Sequence, residues 1–259
     1  MDGYFKNIST DEGLPTERTY CAVQDREGFI WIGTNDGLIR YDGYRMNVYR
    51  NIENDSTSIP GNIVTQLLID SEGFLWVSTY ESGLCRFDTQ TQKAVLQFHE
   101  KSNRFPLKDN KIQALWEDTR NQKIWIGTNL KIADCYDLRR KQLITTKFSS
   151  KNSAKFQSKR DKTAWAFGAF AGDKNKVWLA TNDGLLLYEY NTDSYDWFKY
   201  DANEKPENEL KNRIRSIVVE PNNQIWLACR GGGVIGFNYP NQAWKAYVYT
   251  PENVKSDTK

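Results

Sequence analysis

No stretch of the sequence approaches the ~18–20 consecutive apolar residues of a membrane-crossing helix, and the opening MDGYFKNIST lacks the zones of an export signal. A soluble chain without its own export address is the expectation. Net charge is nearly absent: 35 Lys and Arg face 33 Asp and Glu, and the balance of +2 gives no global case for nucleic-acid or membrane binding. Cysteine is scarce, with four residues and no CxxC pair, which excludes a disulfide scaffold and leaves metal clustering unsupported. The one histidine, His99 in AVLQFHE, reads as a surface or rim residue rather than a phosphoacceptor. No metal and no cofactor is expected. Aromatic residues are plentiful: 9 Trp, 14 Tyr and 12 Phe favour strands and offer stacking faces. With 39% hydrophobic residues over 259 positions, the chain can bury a full core.

One unit recurs five times. FIWIGTNDGLIRYD at 29–42 returns as FLWVSTYESGLCRFD from 74, IWIGTNLKIADCYD from 124, VWLATNDGLLLYE from 177 and IWLACRGGGVIGFN from 225. The marker residues Trp31, Trp76, Trp125, Trp178 and Trp226 are 45, 49, 53 and 48 residues apart, a period that points to a propeller or a solenoid. Within a unit the apolar period is two: TYCAVQD, FIWIGT, LIRYD and YRMNVYR are short strands joined by turns rich in Gly, Asp and Asn. That is one four-stranded propeller blade. No repeat carries the long amphipathic stretch of a helical solenoid, and NIVTQLLID at 62–70 is apolar without being helical. The fold class is all-β, a β-propeller over 1–259 with blades at roughly 15–50, 60–99, 108–148, 162–200 and 210–249. The innermost strands fall near 19–24, 64–69, 112–117, 166–171 and 214–219.

Asp25, Asp70 and Asp118 stand six or seven positions before the repeat Trp, and Gly28 and Gly73 three before it. Asp bonds the backbone two residues on and Gly permits positive φ, so this acidic series is turn chemistry rather than catalysis. The repeat Trp residues are packing between blades.

The pattern D-x-x-G-x-[IL]-W-[IV]-G-T, then a turn, G-L and R-Y-D resembles the two-component-regulator propeller repeat, and the likeness covers essentially the whole chain. STDEGLPTERTYCAVQDREGFIWIGTNDGLIRYDGYRMNVYR is similar to the first blade of such sensors. Later copies depart from it: the third lacks G-L at Leu130-Lys131, the fourth has Gly172 then Asp173 in place of the turn Asp, and the fifth has Glu220 and Cys229 for Asp and Thr. The resemblance implies a periplasmic, carbohydrate-binding sensor region of a bacterial hybrid histidine kinase, signalling across the inner membrane and itself without catalytic residues. Its implied partners are an oligosaccharide, further blades and a membrane and kinase portion of a longer protein; a homodimer is compatible with it and nucleic acid is not expected. Two other classes stay open. DREGFIW and DSEGFLW also resemble the Asp-box turn of sialidase-like glycoside hydrolases or lyases, which need two facing carboxylates. A protein-binding scaffold like the Trp-Asp repeat propellers lacks its Gly-His and Trp-Asp signatures here.

In such a blade the loop entering the innermost strand and the loop joining the second and third strands share a face, where recognition is expected. Counting seven residues back from the turn position gives Arg18, Ile63, Lys111, Trp165 and Arg213 at one channel mouth; eight back gives Glu17, Asn62, Asn110, Ala164 and Asn212. The Asn series reads as turn bonding, while three cations and a Trp suit a sugar with anionic groups. Tyr80 and Arg230 join them, standing where other copies have Asn35 and Asn182 in plain N-D-G turns. Residues 139–162 carry nine cations and one anion, a local +8 that leaves −6 elsewhere. Arg160 and Lys162, beside Trp165, are accordingly expected to pair with the carboxylate or sulfate of an acidic glycan. Two structural expectations complete the reading. GYFKNIS at 3–9 looks like an outer strand, yet blade five already owns AWKAYVY at 243–249, so the ring is expected to be larger, seven-bladed as in the relatives, with TPENVKSDTK entering a sixth blade. Cys21, Cys85, Cys135 and Cys229 fall on strands too far apart to pair and should be free thiols.

Overall fold

The period-two alternation around each repeat Trp becomes an antiparallel ladder in the computed structural model, which describes residues 8–129, 131–144, 146–151, 162–200, 210–231 and 233–247. The chain is all-β and forms five propeller blades. Two compact units divide it, Met1–Glu117 and Asp118–Lys259. The segments at 3–7 and 248–259, on which the closure expectation rests, lie outside the described residues.

In the first unit, β1 (Thr19–Gln24), β2 (Ile30–Thr34), β3 (Gly37–Tyr41) and β4 (Met46–Tyr49) make one sheet in sequence order. The second sheet is β5 (Val64–Ile69), β6 (Leu75–Thr79), β7 (Gly83–Asp88) and β8 (Lys93–Phe98). The apolar run at 62–70 is therefore strand. Trp31, fully buried, lies 5.7 Å from both Phe87 and Tyr49 and joins the core of Leu38, Val64, Leu75 and Val77 between the two sheets. Close approach there demands glycine at Gly33, where a Cβ would come within 2.6 Å of Cys21 Sγ and 2.8 Å of Val64 Cγ1. The Gly of the G-L pair has a different reason: Gly37 sits at φ 118° with its Cα face against the Tyr49 carbonyl, which only glycine tolerates.

The third sheet has β9 (Ile112–Asp118) at its edge, then β10 (Lys123–Thr128), β11 (Ala133–Asp137) and β12 (Gln142–Ile144), and the division between units falls at the end of β9. In the second unit follow β13 (Ser149–Ser150), β14 (Ala164–Ala169), β15 (Lys176–Thr181), β16 (Gly184–Glu189) and β17 (Ser194–Phe198), where the two-residue β13 adds a parallel fifth strand beside β17. The last sheet is β18 (Ile214–Val219), β19 (Gln224–Cys229), β20 (Gly233–Asn238) and β21 (Ala243–Tyr247). Four innermost strands match the sequence reading. The fourth is corrected from 166–171 to Ala164–Ala169, because its turn to β15 is two residues longer than those of the first, second and fifth sheets in chain order.

Trp31, Trp76, Trp125 and Trp178 are all fully buried, whereas Trp226 is only half-buried and its sheet exposes Val218 (61%) and Val234 (44%). Turn chemistry supports the buried indoles. Asp25 accepts the Phe29 N–H through Oδ1 (2.9 Å) and the Trp31 Nε1–H through Oδ2 (2.7 Å). Asp70 repeats this with Phe74 and Trp76 at 2.9 and 2.8 Å, and Glu220 takes the Trp226 indole at 2.7 Å. In the third copy Tyr190 intervenes, accepting from Trp125 at 2.7 Å and donating to Asp118 at 3.0 Å. In the fourth copy Phe170 holds the Asp25 place in the turn, its N–H bonded to the Lys176 carbonyl as Asp25's is to Phe29's, and the buried Trp178 Nε1 has no partner among the described residues.

The four cysteines are free, on β1, β7, β11 and β19 as expected. Burial pushes the Cys21 thiol up to about 11 and the Cys229 thiol to about 12, and raises Cys85 and Cys135 as well. A thiol reagent at neutral pH should therefore label the native protein slowly and count four thiols once it is unfolded without reductant. A count below four, with a disulfide found by peptide mapping, would contradict this placement.

Candidate functional site

Backbone bonds show how the entry loop and the loop between second and third strands meet on one face in four of the blades. Asn35 N–H reaches the Arg18 carbonyl (3.3 Å), Tyr80 reaches Ile63 (2.8 Å), Asn182 reaches Thr163 (3.2 Å) and Arg230 reaches Arg213 (2.8 Å). The Asn series is structural: Asn62, Asn110 and Asn212 accept the N–H of Asn51, Glu100 and Tyr200 at 2.7–2.8 Å, tying each entry loop to the end of the preceding outer strand. His99 belongs to this clamp, its Nε2 3.1 Å from Asn110 Nδ2.

The counted ring needs one correction. With the longer fourth turn, the residue matching Arg18, Ile63 and Arg213 is Thr163, and Lys162 rather than Ala164 matches the Asn series. Trp165 lies two positions further, where the ladder between first and second strands slips by one residue. The same slip occurs at Tyr20, Thr65 and Arg215, so each of these four residues is a β-bulge. A bulged residue leaves the pairing register and re-aims its side chain.

In the first unit, Tyr80 is 52% exposed and Lys111 Nζ stands 5.7 Å from its ring. Lys111 pairs with Glu81 at 2.8 Å, and hydrogen bonds from Lys111 and Tyr80 hold the Glu81 carboxyl below the usual carboxylate range. The Lys111 charge thus has an internal partner. Arg18 is exposed, 5.8 Å from the Tyr20 ring.

The second unit gathers a denser group. The Arg215 guanidinium carbon lies 3.5 Å from the centroid of the Trp165 ring, a face-on stack between neighbouring innermost strands. Burial and the charges of Arg230 and Arg213 lower the pKa of Arg215, so all three cations share one field. Sequence reading found Trp165, Arg213 and Arg230 but missed Arg215, whose release from the ladder no sequence signal marks. Lys162 does not join them: its Nζ sits 4.1 Å over Trp197, which also carries Lys199 at 4.5 Å. Arg160 lies outside the described residues. Among the described cations of 139–162, Arg139 bonds to Gln122 and Lys151 to Glu189.

An acidic cleft of about 350 Å³ in the first unit is lined by Asp25, Glu27, Glu72 and Asp88 among others. Its carboxylates are engaged: Asp25 with Trp31, Glu72 with Arg86 at 2.6 Å, Glu27 with Gln90 at 2.6 Å and Asp88 with the Gln90 N–H at 2.8 Å. They serve the turns.

The model of the two-component regulator propeller matches residues 13–36 and 58–81. Histidine kinase P4 of Formosa agariphila is 42% identical over 55 residues, which cover 21% of this chain and 4% of that protein. The extracellular domain of a hybrid two-component system from B. thetaiotaomicron superposes with a TM-score of 0.72 at 20% identity, over 95% of this chain and 32% of that one. A second such domain from the same organism gives 0.56 at 19% identity, over 92% and 34%. The chain thus spans about a third of the length of these solved domains and a small fraction of the kinase. With five blades built on the same turn, strand and Trp plan, the chain has the propeller fold of these solved domains, and two of its segments, 13–36 and 58–81, match the two-component regulator propeller repeat.

Proposed function

We propose that the chain is part of the extracytoplasmic sensing region of a hybrid two-component protein, that it lies in the periplasm, and that it binds an oligosaccharide without turning it over. The observation that carries this reading is the likeness, over 95% of the chain, to the extracellular domain of a hybrid two-component system; it is an argument by analogy of fold and repeat. Within each unit the strand ends supply exposed side chains that support it, Arg18 and Tyr80 in the first and Arg230 in the second, because exposed aromatic and cationic groups on rigid strand ends suit recognition rather than bond cleavage. The exposed face of blade five, with Val218, Val234 and half-buried Trp226, supports a further blade as its neighbour in a longer protein.

Calorimetric screening of the protein against neutral and acidic oligosaccharides, with chromatography of the same mixtures, tests the reading. Saturable binding with the sugar recovered intact is expected. Shortened or unsaturated products would establish the glycoside hydrolase or lyase alternative instead, and absence of binding across the panel would sink the carbohydrate assignment.

A further inference from the structure

We propose that Arg215, stacked on Trp165 and flanked by Arg213 and Arg230, is the anchor of an anion site that takes a carboxylate or sulfate group of the ligand. The proposal deepens the oligosaccharide reading, on which it rests only for what the anionic group is attached to.

Three observations point to it independently of the charged loop that first drew attention to this region. The bulges at Trp165 and Arg215 release both side chains from their ladders on adjacent strands, and their face-on contact at 3.5 Å fixes the plane of the guanidinium. Trp165 is thus a positioning residue, one ring face being taken by Arg215, rather than a platform for the sugar. Second, the polar atoms of this pair are unspent. Arg215 Nη1 and Trp165 Nε1 are buried with no hydrogen-bond partner among the described residues. No acceptor engages Nε or Nη2 of Arg215 there either, and both remain reachable from solvent. The Nε and Nη2 pair is the edge that a carboxylate or sulfate takes side-on with two parallel bonds. Third, the charges that act on Arg215 among the described residues are of one sign. Arg213 and Arg230 are joined by a 2.8 Å backbone bond and, among the described residues, lie close enough to oppose the protonated form of Arg215. Like charges gathered at a half-buried point are unfavourable until an anion arrives. Lys111 in the first unit differs from Arg215, since Glu81 already pairs with it at 2.8 Å.

The test compares wild type with Arg215→Gln, Arg215→Lys, Trp165→Phe and Trp165→Ala by calorimetry at two salt concentrations. The probes are a galacturonate oligomer, a sulfated oligosaccharide, a neutral oligomer of similar length and sodium sulfate, and an unchanged urea midpoint shows that each variant folds. Binding of a charged oligomer that weakens with salt is expected, and Arg215→Gln should weaken it about 10–100-fold, the worth of a charge-assisted hydrogen bond. Lys should restore only part of this, and Phe at 165, which keeps the ring face, should bind far better than Ala. A charged oligomer bound equally well by Arg215→Gln, or a neutral oligomer bound alone, overturns the site and leaves the oligosaccharide reading standing. Sulfate binding that needs Arg215, with no sugar bound, upholds the site and removes the sugar reading. No binding by any probe removes both.

Discussion

Asp70→Ala should lower the unfolding free energy by about 3–5 kcal/mol, because it strands a buried guanidinium. The Asp70 side chain is fully buried and that of Arg86 is only 7% exposed; Oδ2 accepts Arg86 Nε at 2.9 Å, Arg86 Nη2 at 2.7 Å and Trp76 Nε1 at 2.8 Å. Oδ1 holds the turn through the N–H groups of Glu72 and Phe74. Removing the carboxylate leaves Arg86 with the Phe74 ring and the half-exposed Glu72, which places the loss toward the lower end of that range. Asp25→Ala is the internal control. Asp25 serves the same turn and indole with no bonded Arg, so its loss should cost about 1–3 kcal/mol, the scale of unsatisfied buried donors. Urea unfolding of both variants decides the matter: equal losses would show that the ion pair adds nothing. A companion double variant, Asp70→Leu with Arg86→Met, should recover much of the stability, as apolar replacements of buried pairs do.

Trp178→Ala should cost about 3–5 kcal/mol, the usual range for deleting a buried large aromatic. Its ring packs against Phe170, Phe198, Phe237 and Tyr239 at centroid distances of 5.4–6.2 Å, at the junction of blades four and five. The sharper expectation concerns phenylalanine. Trp178→Phe removes an indole N–H that has no partner, whereas Trp76→Phe removes one bonded to Asp70. The Trp178 change should therefore cost less by about 1 kcal/mol, the net worth of one hydrogen bond. Denaturation showing Trp178→Phe to be the more damaging of the two would mean that cavity formation outweighs the bonding difference.

Most of the blade plan was legible because it is local. Turn residues, alternating strands and one Trp per copy recur at spacings that only a four-stranded unit satisfies, and even Glu220 keeps the role of the Asp it replaces. Counting residues failed where the backbone departs from uniform length. The fourth turn holds two extra residues, which moved Trp165 out of the counted ring and put Thr163 there. Arg215 was illegible for a related reason: period-two reading assumes an unbroken ladder, and a bulge is visible only in the paired strands. Lys162 was misplaced because sequence adjacency to Trp165 says nothing of the Trp197 ring lying nearer to it.

The recurring bulge bears on how such a protein could change what it recognises. Tyr20, Thr65, Trp165 and Arg215 share one backbone position yet range from aromatic rings through a small hydroxyl to a guanidinium. Because the extra residue has no partner in the backbone ladder, exchanging it leaves the backbone bonds between the strands in place, although at Thr65 a side-chain bond to Ser78 (3.1 Å) would be lost. Blades can then be retuned one at a time, an aromatic here and a guanidinium there, with little loss of stability from each exchange. On the proposed reading, specificity is set within each unit by separately adjustable positions at the starts of the innermost strands, open to both mutation and deliberate redesign.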